Sequence, residues 1–365
     1  MRSLSLLLTG TVVWLATLVS PSLATDFSKF GPFAVGLQRF EIPDVTGNYP
    51  LATMVWYPAA GAAPDPAATT LHTTEDAPPA ATGPYPLVVL IHGLSGNSKV
   101  YGPWGELLAS YGFVVFASNY DIGLFGSASG VDPRDQVSLH LLYNRPANAV
   151  RVIEFADTLT APGGKFAGVI DTSRIGVWGH STGGTTALQA GGAQIDLKAM
   201  DAWCAVNVAD IFASETCRFV GHEQAVAARY GASGPFAGLL PPMWDSRVAA
   251  VVLAAPGGEL HAFGDAGIAA AKVPMLIMVS SIDAVVKPEF NALWAYDGIG
   301  SPSRALAIFA EGGHLMFIGR RQSDAPKALT TAFFLAILKG DAAARSALMP
   351  DAVSFPGLIY RTTLQ

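Results

Sequence analysis

The chain has 365 residues, of which 51% are hydrophobic and only 14% charged, and its formal net charge is −6. So large an apolar fraction excludes a disordered chain and suits a big buried core, in one large α/β domain or two smaller ones. The mild negative charge, with no Lys/Arg cluster, argues against a nucleic-acid partner and against a strongly polyanionic substrate.

The chain begins with a targeting pattern. Arg2 precedes the apolar run Leu4–Val19, and Ser22-Leu23-Ala24 puts small residues at the two positions a signal peptidase reads. We expect a signal peptide over residues 1–24, cleaved after Ala24, and hence a secreted or periplasmic protein. The alternative is an uncleaved anchor, but the run is shorter than the roughly 20 residues a spanning helix needs. No later stretch reads as a transmembrane helix. Export makes the two cysteines informative: Cys204 and Cys217 can close a small loop as a disulfide, the alternative being two buried thiols. Neither sits in a metal-type spacing, and no clustered His/Asp/Glu set suggests a metal site, so no metal and no cofactor are expected.

Residues 25–365 read as one domain. FAVGLQRFEIPD and YPLATMVWYPA form two strands of an antiparallel start. Ala59–Pro84, rich in Ala, Pro and Thr, reads as a flexible surface excursion. Strands then alternate with helices. YPLVVLIHG is a continuous apolar strand, as a sheet covered on both faces requires. PWGELLASYG is a helix, FVVFASNY a strand, and PANAVRVIEFADTLT a helix with Pro146 in its first turn. SRIGVWGHS is a strand and TGGTTALQAGG a helix. Later come the strands RVAAVVLAA, VPMLIMVSS and SRALAIFA, with the helices PEFNALWAY and APKALTTAFFLAILKG. This alternation predicts a parallel, doubly wound α/β sheet. Residues 191–245 break the rhythm and read as an inserted cap region. There Phe236, Leu239, Leu240, Met243 and Trp244 serve either as a pocket lining or as the cap's own core.

In a parallel sheet, reacting groups gather just beyond the carboxyl ends of the strands. The loop after the first parallel strand reads His92-Gly93-Leu94-Ser95-Gly96-Asn97. After the strand at Ile175 comes Gly179-His180-Ser181-Thr182-Gly183. After VPMLIMVSS comes Asp283, and after RALAIFA come Gly313 and His314. Ser, Asp and His thus follow in that order, each beyond a core strand, as in the α/β-hydrolase triad. A serine hydroxyl needs a base to take its proton, and an imidazole does so near neutral pH. A carboxylate on the other ring nitrogen fixes the tautomer and steadies the imidazolium. Ser181 is therefore the candidate nucleophile, His314 the base and Asp283 the acid, with Glu259 and Asp265 as rivals for the acid. Side chains at Gly179 and Gly183 would collide with the neighbouring strand and helix. The amides of Thr182 and Leu94 are the candidate oxyanion donors. His92 reads as a support for the oxyanion loop and His180 as a packing residue.

The segments PLVVLIHGLSGNSKVYGPWGELLASYGFVVFASNYD and DTSRIGVWGHSTGGTTALQAGG resemble bacterial dienelactone-hydrolase-like proteins related to platelet-activating-factor acetylhydrolases. VPMLIMVSSIDAVVKPEFNALWA and EGGHLMF are similar to the acid and histidine segments of cutinase-type polyester hydrolases. The resemblance covers most of Tyr85–Phe317 and implies an α/β-hydrolase fold and metal-free esterase chemistry. It carries the nucleophile to Ser181, the acid to Asp283, the base to His314 and the oxyanion donors to Leu94 and Thr182. Dienelactone hydrolases use a cysteine where this chain has Ser181. Animal acetylhydrolases place the acid after the strand that here reads VVLAAPGG, where no Asp or Glu follows directly. The expectation is a serine hydrolase acting on a small-molecule or lipid-like ester. An amidase, a peptidase or a polyester depolymerase on the same triad is the alternative. A binding protein that kept the scaffold is a third.

Overall fold

Every residue of the strand Tyr85–Ile91 (β4) is buried, yet neighbours along it go to different places. Tyr85, Leu87, Val89 and Ile91 join one apolar cluster, while Val88 and Leu90 join another. Side chains alternate between the faces of a strand, so an all-apolar strand must be covered on both sides. Each such fully buried Val, Leu or Ile contributes roughly 1.5–3 kcal/mol. A carboxylate placed at Val89 would have no partner there and would break the centre of the sheet.

The computed structural model describes residues 25–43, 50–68, 73–120, 137, 139–207, 214–217, 219–232, 238–319 and 323–364. The expected signal peptide lies outside the described residues. The other strands are β1 (Ala34–Pro43), β2 (Pro50–Ala59), β3 (Thr74–Glu75), β5 (Val114–Ser118), β6 (Ile170–His180), β7 (Val248–Ala254), β8 (Met275–Ser280), β9 (Arg304–Phe309) and β10 (Leu358–Thr362). They form one sheet in the order β10-β9-β8-β7-β6-β4-β5-β2-β1-β3. From β5 across to β9 the pairing is parallel, and β2 and β10 join the two flanks antiparallel.

Helices cover both faces. Arg145–Thr160 lays Ala149, Val152, Ile153 and Ala156 on one apolar cluster. Pro146 suits its first turn, where an N–H would lack a partner. Its end follows from Pro162, which drives the preceding Ala161 into extended backbone. On the opposite face, Gly102–Ser110 contributes Trp104, Leu107 and Leu108, and Asp324–Leu338 contributes Leu329, Phe333 and Phe334.

Some expectations change. The stretch after Ala59 is tied to the sheet: Thr74–Glu75 pairs parallel with β1, and Ala77 is buried. The helix expected from Pro288 begins only at Ala292, after turns at Lys287–Asn291. The strand Leu358–Thr362 and the helix Ala342–Ala347 had no reading in the sequence. The strand alternates half-buried and exposed residues at a sheet edge and so has no strong apolar signature.

The insertion between β6 and β7 carries the helices Leu197–Asn207 and Glu223–Arg229, and a Cys204–Cys217 disulfide ties it together. Met200, Cys204, Phe219, Val226 and Leu240 join the same cluster as the sheet's own residues. Its described part therefore has no separate core and packs on the Leu260–Ala269 segment beyond β7.

Candidate active site

β6 delivers His180 to the carboxyl edge of the sheet, and the helix Thr182–Ala190 starts two residues later. Ser181 makes the turn at φ 56° and ψ −128°, a conformation that costs a non-glycine residue about 1–3 kcal/mol. Its surroundings over-determine it. The Ser181 amide donates to the Ala254 carbonyl at 3.0 Å, and its own carbonyl accepts from the amides of Gly184 at 2.7 Å and Gly257 at 2.8 Å. The flanking glycines have a steric cause. A Cβ on Gly179 would come within 2.0 Å of the Gly183 oxygen, and one on Gly183 within 2.2 Å of the Ile91 oxygen.

Asp283 and His314 come from the loops after β8 and β9. Asp283 Oδ1 accepts the amides of Val285 and Val286, each at 2.9 Å, and Oδ2 accepts from His314 Nδ1 at 2.8 Å. Burial opposes ionisation of Asp283. The hydrogen bonds from His314, Val286 and Val285, with the nearby imidazole charge, outweigh it and hold the carboxyl below its ordinary range. Because Nδ1 donates to the carboxylate, the lone pair of the neutral His314 ring is on Nε2. Of the rival acids, Glu259 also lines the cavity that Ser181 and His314 face, bonded to threonines beside the turn. It is buried and accepts from the hydroxyls of Thr182 and Thr185, both at 3.2 Å. Asp265 sits in the first turn of the short helix Gly264–Ala269.

Ser181, Thr182, His314 and Leu94 line one cavity of about 530 Å³. Val285, Leu315 and Ile318 add apolar side chains to its lining. Leu315 and Val285 are 63% and 59% exposed, so both present apolar surface to an incoming molecule. These residues carry no signal in the sequence beyond their place after the acid and the histidine. The apolar residues picked from the insertion do something else. Leu240 is fully buried core, while Met243 and Trp244 line a separate hollow with Val150 and Arg151. Phe236 lies outside the described residues.

Two further histidines flank the site. His92 Nδ1 donates to the Gly93 carbonyl at 2.7 Å, and its Nε2 accepts the Tyr120 amide at 2.8 Å. The buried Arg145 guanidinium donates to the His92 carbonyl. This is the loop-supporting arrangement, with one tautomer held at both ring nitrogens. His180 lies beside Tyr101, His314 and Phe317. It is fully enclosed, and burial, with the neighbouring His314, pushes its pKa down to about 4.

A family model described as the alpha/beta hydrolase family matches residues 88–330. The chain belongs to the alpha/beta hydrolase family. No similar protein was found among curated sequences. The family supports a hydrolase, and its match runs from β4 through the loops that carry Ser181, Asp283 and His314 into the helix Asp324–Leu338. Among the described residues of this hydrolase, no group of three or more His, Cys, Asp or Glu could hold a metal ion. Among them, too, no helix is long and apolar enough to cross a membrane.

Proposed function

We propose that this hydrolase is a serine carboxylesterase, with Ser181 as nucleophile, His314 as base and Asp283 as acid. The observation that carries the proposal is the His314–Asp283 hydrogen bond of 2.8 Å, opening on the same cavity as a serine held at a strained strand-to-helix turn. His314 Nε2 takes the Ser181 proton as Oγ attacks the ester carbonyl carbon. The carbonyl oxygen becomes an oxyanion, for which the Leu94 and Thr182 amides are the donors. Collapse breaks the C–O bond of the ester. His314 gives its proton to the departing alkoxide, leaving an acyl-Ser181. Water then repeats the cycle: His314 takes its proton, the hydroxide adds to the acyl carbon, and the acid leaves as Ser181 regains a proton. Asp283 keeps its negative charge throughout and steadies the imidazolium.

The apolar lining at Val285, Leu315 and Ile318 favours an ester with an apolar acyl or alcohol group. The Cys204–Cys217 disulfide and the leader pattern of residues 1–24 support export to an oxidising compartment. The test is turnover of p-nitrophenyl acetate and butyrate by the purified protein and its Ser181→Ala variant. We expect turnover by the wild type and none above background in the variant. Undiminished turnover in Ser181→Ala removes the serine mechanism.

A further inference from the structure

Three loops must hold their spacing for this chemistry. The loop after β4 carries the Leu94 amide, the turn after β6 carries Ser181, and the loop after β9 carries His314. They leave different strands, and the cavity lies between them. One run of buried polar groups joins all three. The Gly93 amide, next to Leu94, donates to the Tyr101 hydroxyl oxygen at 3.2 Å. The Tyr101 hydroxyl lies 2.9 Å from His180 Nδ1, and His180 Nε2 lies 2.9 Å from the His314 carbonyl oxygen.

The chemistry of the end groups sets every direction. A backbone carbonyl only accepts, so His180 Nε2 carries a proton. Burial keeps His180 neutral down to about pH 4, so its Nδ1 has a lone pair. Tyr101 must then donate to Nδ1, which leaves its oxygen free to accept from Gly93. The order is Gly93 N–H to Tyr101, Tyr101 O–H to His180, and His180 N–H to His314. Each member has a second hold on the fold. The Tyr101 ring meets Trp178 edge-on with centroids 5.5 Å apart, and the His180 ring lies 4.9 Å from that of His314. His180 is also the residue before the nucleophile.

We propose that Tyr101 and His180 are positioning residues, a buried relay that fixes the oxyanion loop, the nucleophile turn and the histidine loop relative to one another. Neither reacts. The relay holds the backbone at Gly93, beside Leu94, and at the carbonyl of His314, so its loss loosens the donor and the base together. Interactions that matter only once the oxyanion forms show in kcat and not in KM. The relay therefore differs from ordinary core packing in what its loss affects.

This inference rests on the serine mechanism proposed above. The experiment uses the full chain, with Tyr101→Phe, His180→Phe, the double variant and Ser181→Ala. Four quantities are read: kcat and KM on p-nitrophenyl butyrate, the rate constant for labelling by a fluorophosphonate, and the melting temperature. Tyr101→Phe keeps the ring and deletes only the hydroxyl. We expect it to lower kcat and the labelling rate about tenfold, with KM within about twofold of wild type. The double variant should lose no more than the worse single variant, because both cut one relay. Should His180→Phe not fold, Tyr101→Phe decides alone. Wild-type kcat and labelling in Tyr101→Phe overturn the relay while leaving the serine mechanism intact. So do losses in the two single variants that multiply in the double. Labelling of Ser181→Ala at the wild-type rate, or a wild type inert to label and ester alike, overturns the serine mechanism and the relay with it.

Discussion

A single methyl group on Gly257 tests the oxyanion assignment. This glycine follows β7 in the run Pro256-Gly257-Gly258, and its amide donates to the Ser181 carbonyl at 2.8 Å. A Cβ there would sit 2.7 Å from the Thr182 nitrogen and 2.9 Å from both the Ser181 carbonyl carbon and Glu259 Oε2. Two of those atoms are backbone and cannot swing aside. Gly257 is outside the left-handed region, so alanine meets no backbone penalty and the effect is steric. Relief requires the Thr182 amide to move from its position at the start of the helix. Removing one oxyanion donor costs about 10²–10³ in kcat, or roughly 2.7–4 kcal/mol. We expect Gly257→Ala to show that loss in kcat with KM nearly unchanged, and to lose about 1–3 kcal/mol of stability from overpacking. Gly176→Ala is the control: its Cβ would press on Phe334 at 2.7 Å and Leu338 at 3.0 Å, in the core far from the elbow. It should lower the melting temperature and leave kcat alone. Steady-state kinetics and thermal unfolding of both variants decide. The reasoning fails if Gly257→Ala keeps kcat within about twofold of wild type, or if Gly176→Ala loses as much kcat.

Three other outcomes are expected. Asp283→Asn replaces an acceptor that fixes the His314 tautomer, and ester turnover should fall by about four orders of magnitude; a loss under tenfold would point to another carboxylate. The folded pKa of His180 is depressed, to about 4 from an ordinary 6.5, so the unfolded chain binds its proton first as the pH falls. That stability is complete well above pH 6.5 and declines toward pH 4, with a limiting slope of about 1.4 kcal/mol per unit, or about 1.6 kcal/mol between pH 6.5 and 5. Buried His261, also held below its ordinary value by burial, adds a dependence of the same sign, so urea unfolding at these two pH values should show a shallower slope in His180→Phe than in the wild type; an unaltered slope in the variant contradicts the assignment. Finally, Cys204 and Cys217 are 13 residues apart, and reducing a disulfide that closes so short a loop should cost about 3 kcal/mol. Thermal unfolding with and without reductant checks this, and an unchanged melting temperature counts against it.

The parallel core was legible because its strands are uninterrupted apolar runs ending in polar loops, a pattern that few other structures produce. The loops after β4, β6, β8 and β9 could be picked out for the same reason. Ser181, Asp283 and His314 each stand directly beyond a buried strand, and the structure brings Asp283 and His314 into contact. What escaped were approaches between distant segments that leave no mark in the local sequence. Tyr101 stands just before the helix Gly102–Ser110, where nothing local marks its hydroxyl for a bond to His180, 79 residues away. His180 looked like packing because an imidazole beside a nucleophile has no signature of its own; its role depends on the His314 carbonyl, 134 residues away. The insertion's apolar residues could read as pocket lining or as cap core, and Leu240 is core. The cavity's apolar lining includes Val285, Leu315 and Ile318, which come from two loops that only the fold gathers.

Strain is concentrated where the chemistry is proposed. Among the described residues, four that are not glycine take a positive φ: Asp76, Ser95, Ser181 and Ala255. The last three follow β4, β6 and β7, which are adjacent in the sheet. Each such residue costs about 1–3 kcal/mol and persists only where its surroundings over-determine it. Here the surroundings are three fully buried strand ends, held by side chains in both apolar clusters. The sheet's burial offsets that strain without help from the loops. The loops are therefore free to carry conformations chosen for where they aim a hydroxyl and two amides rather than for their own stability. That division accounts for glycine at Gly179, Gly183 and Gly257. At each, backbone from another strand end or from the elbow itself lies where a side chain would begin. The same crowding that excludes a methyl group there leaves the Ser181 turn no lower-energy conformation to relax into.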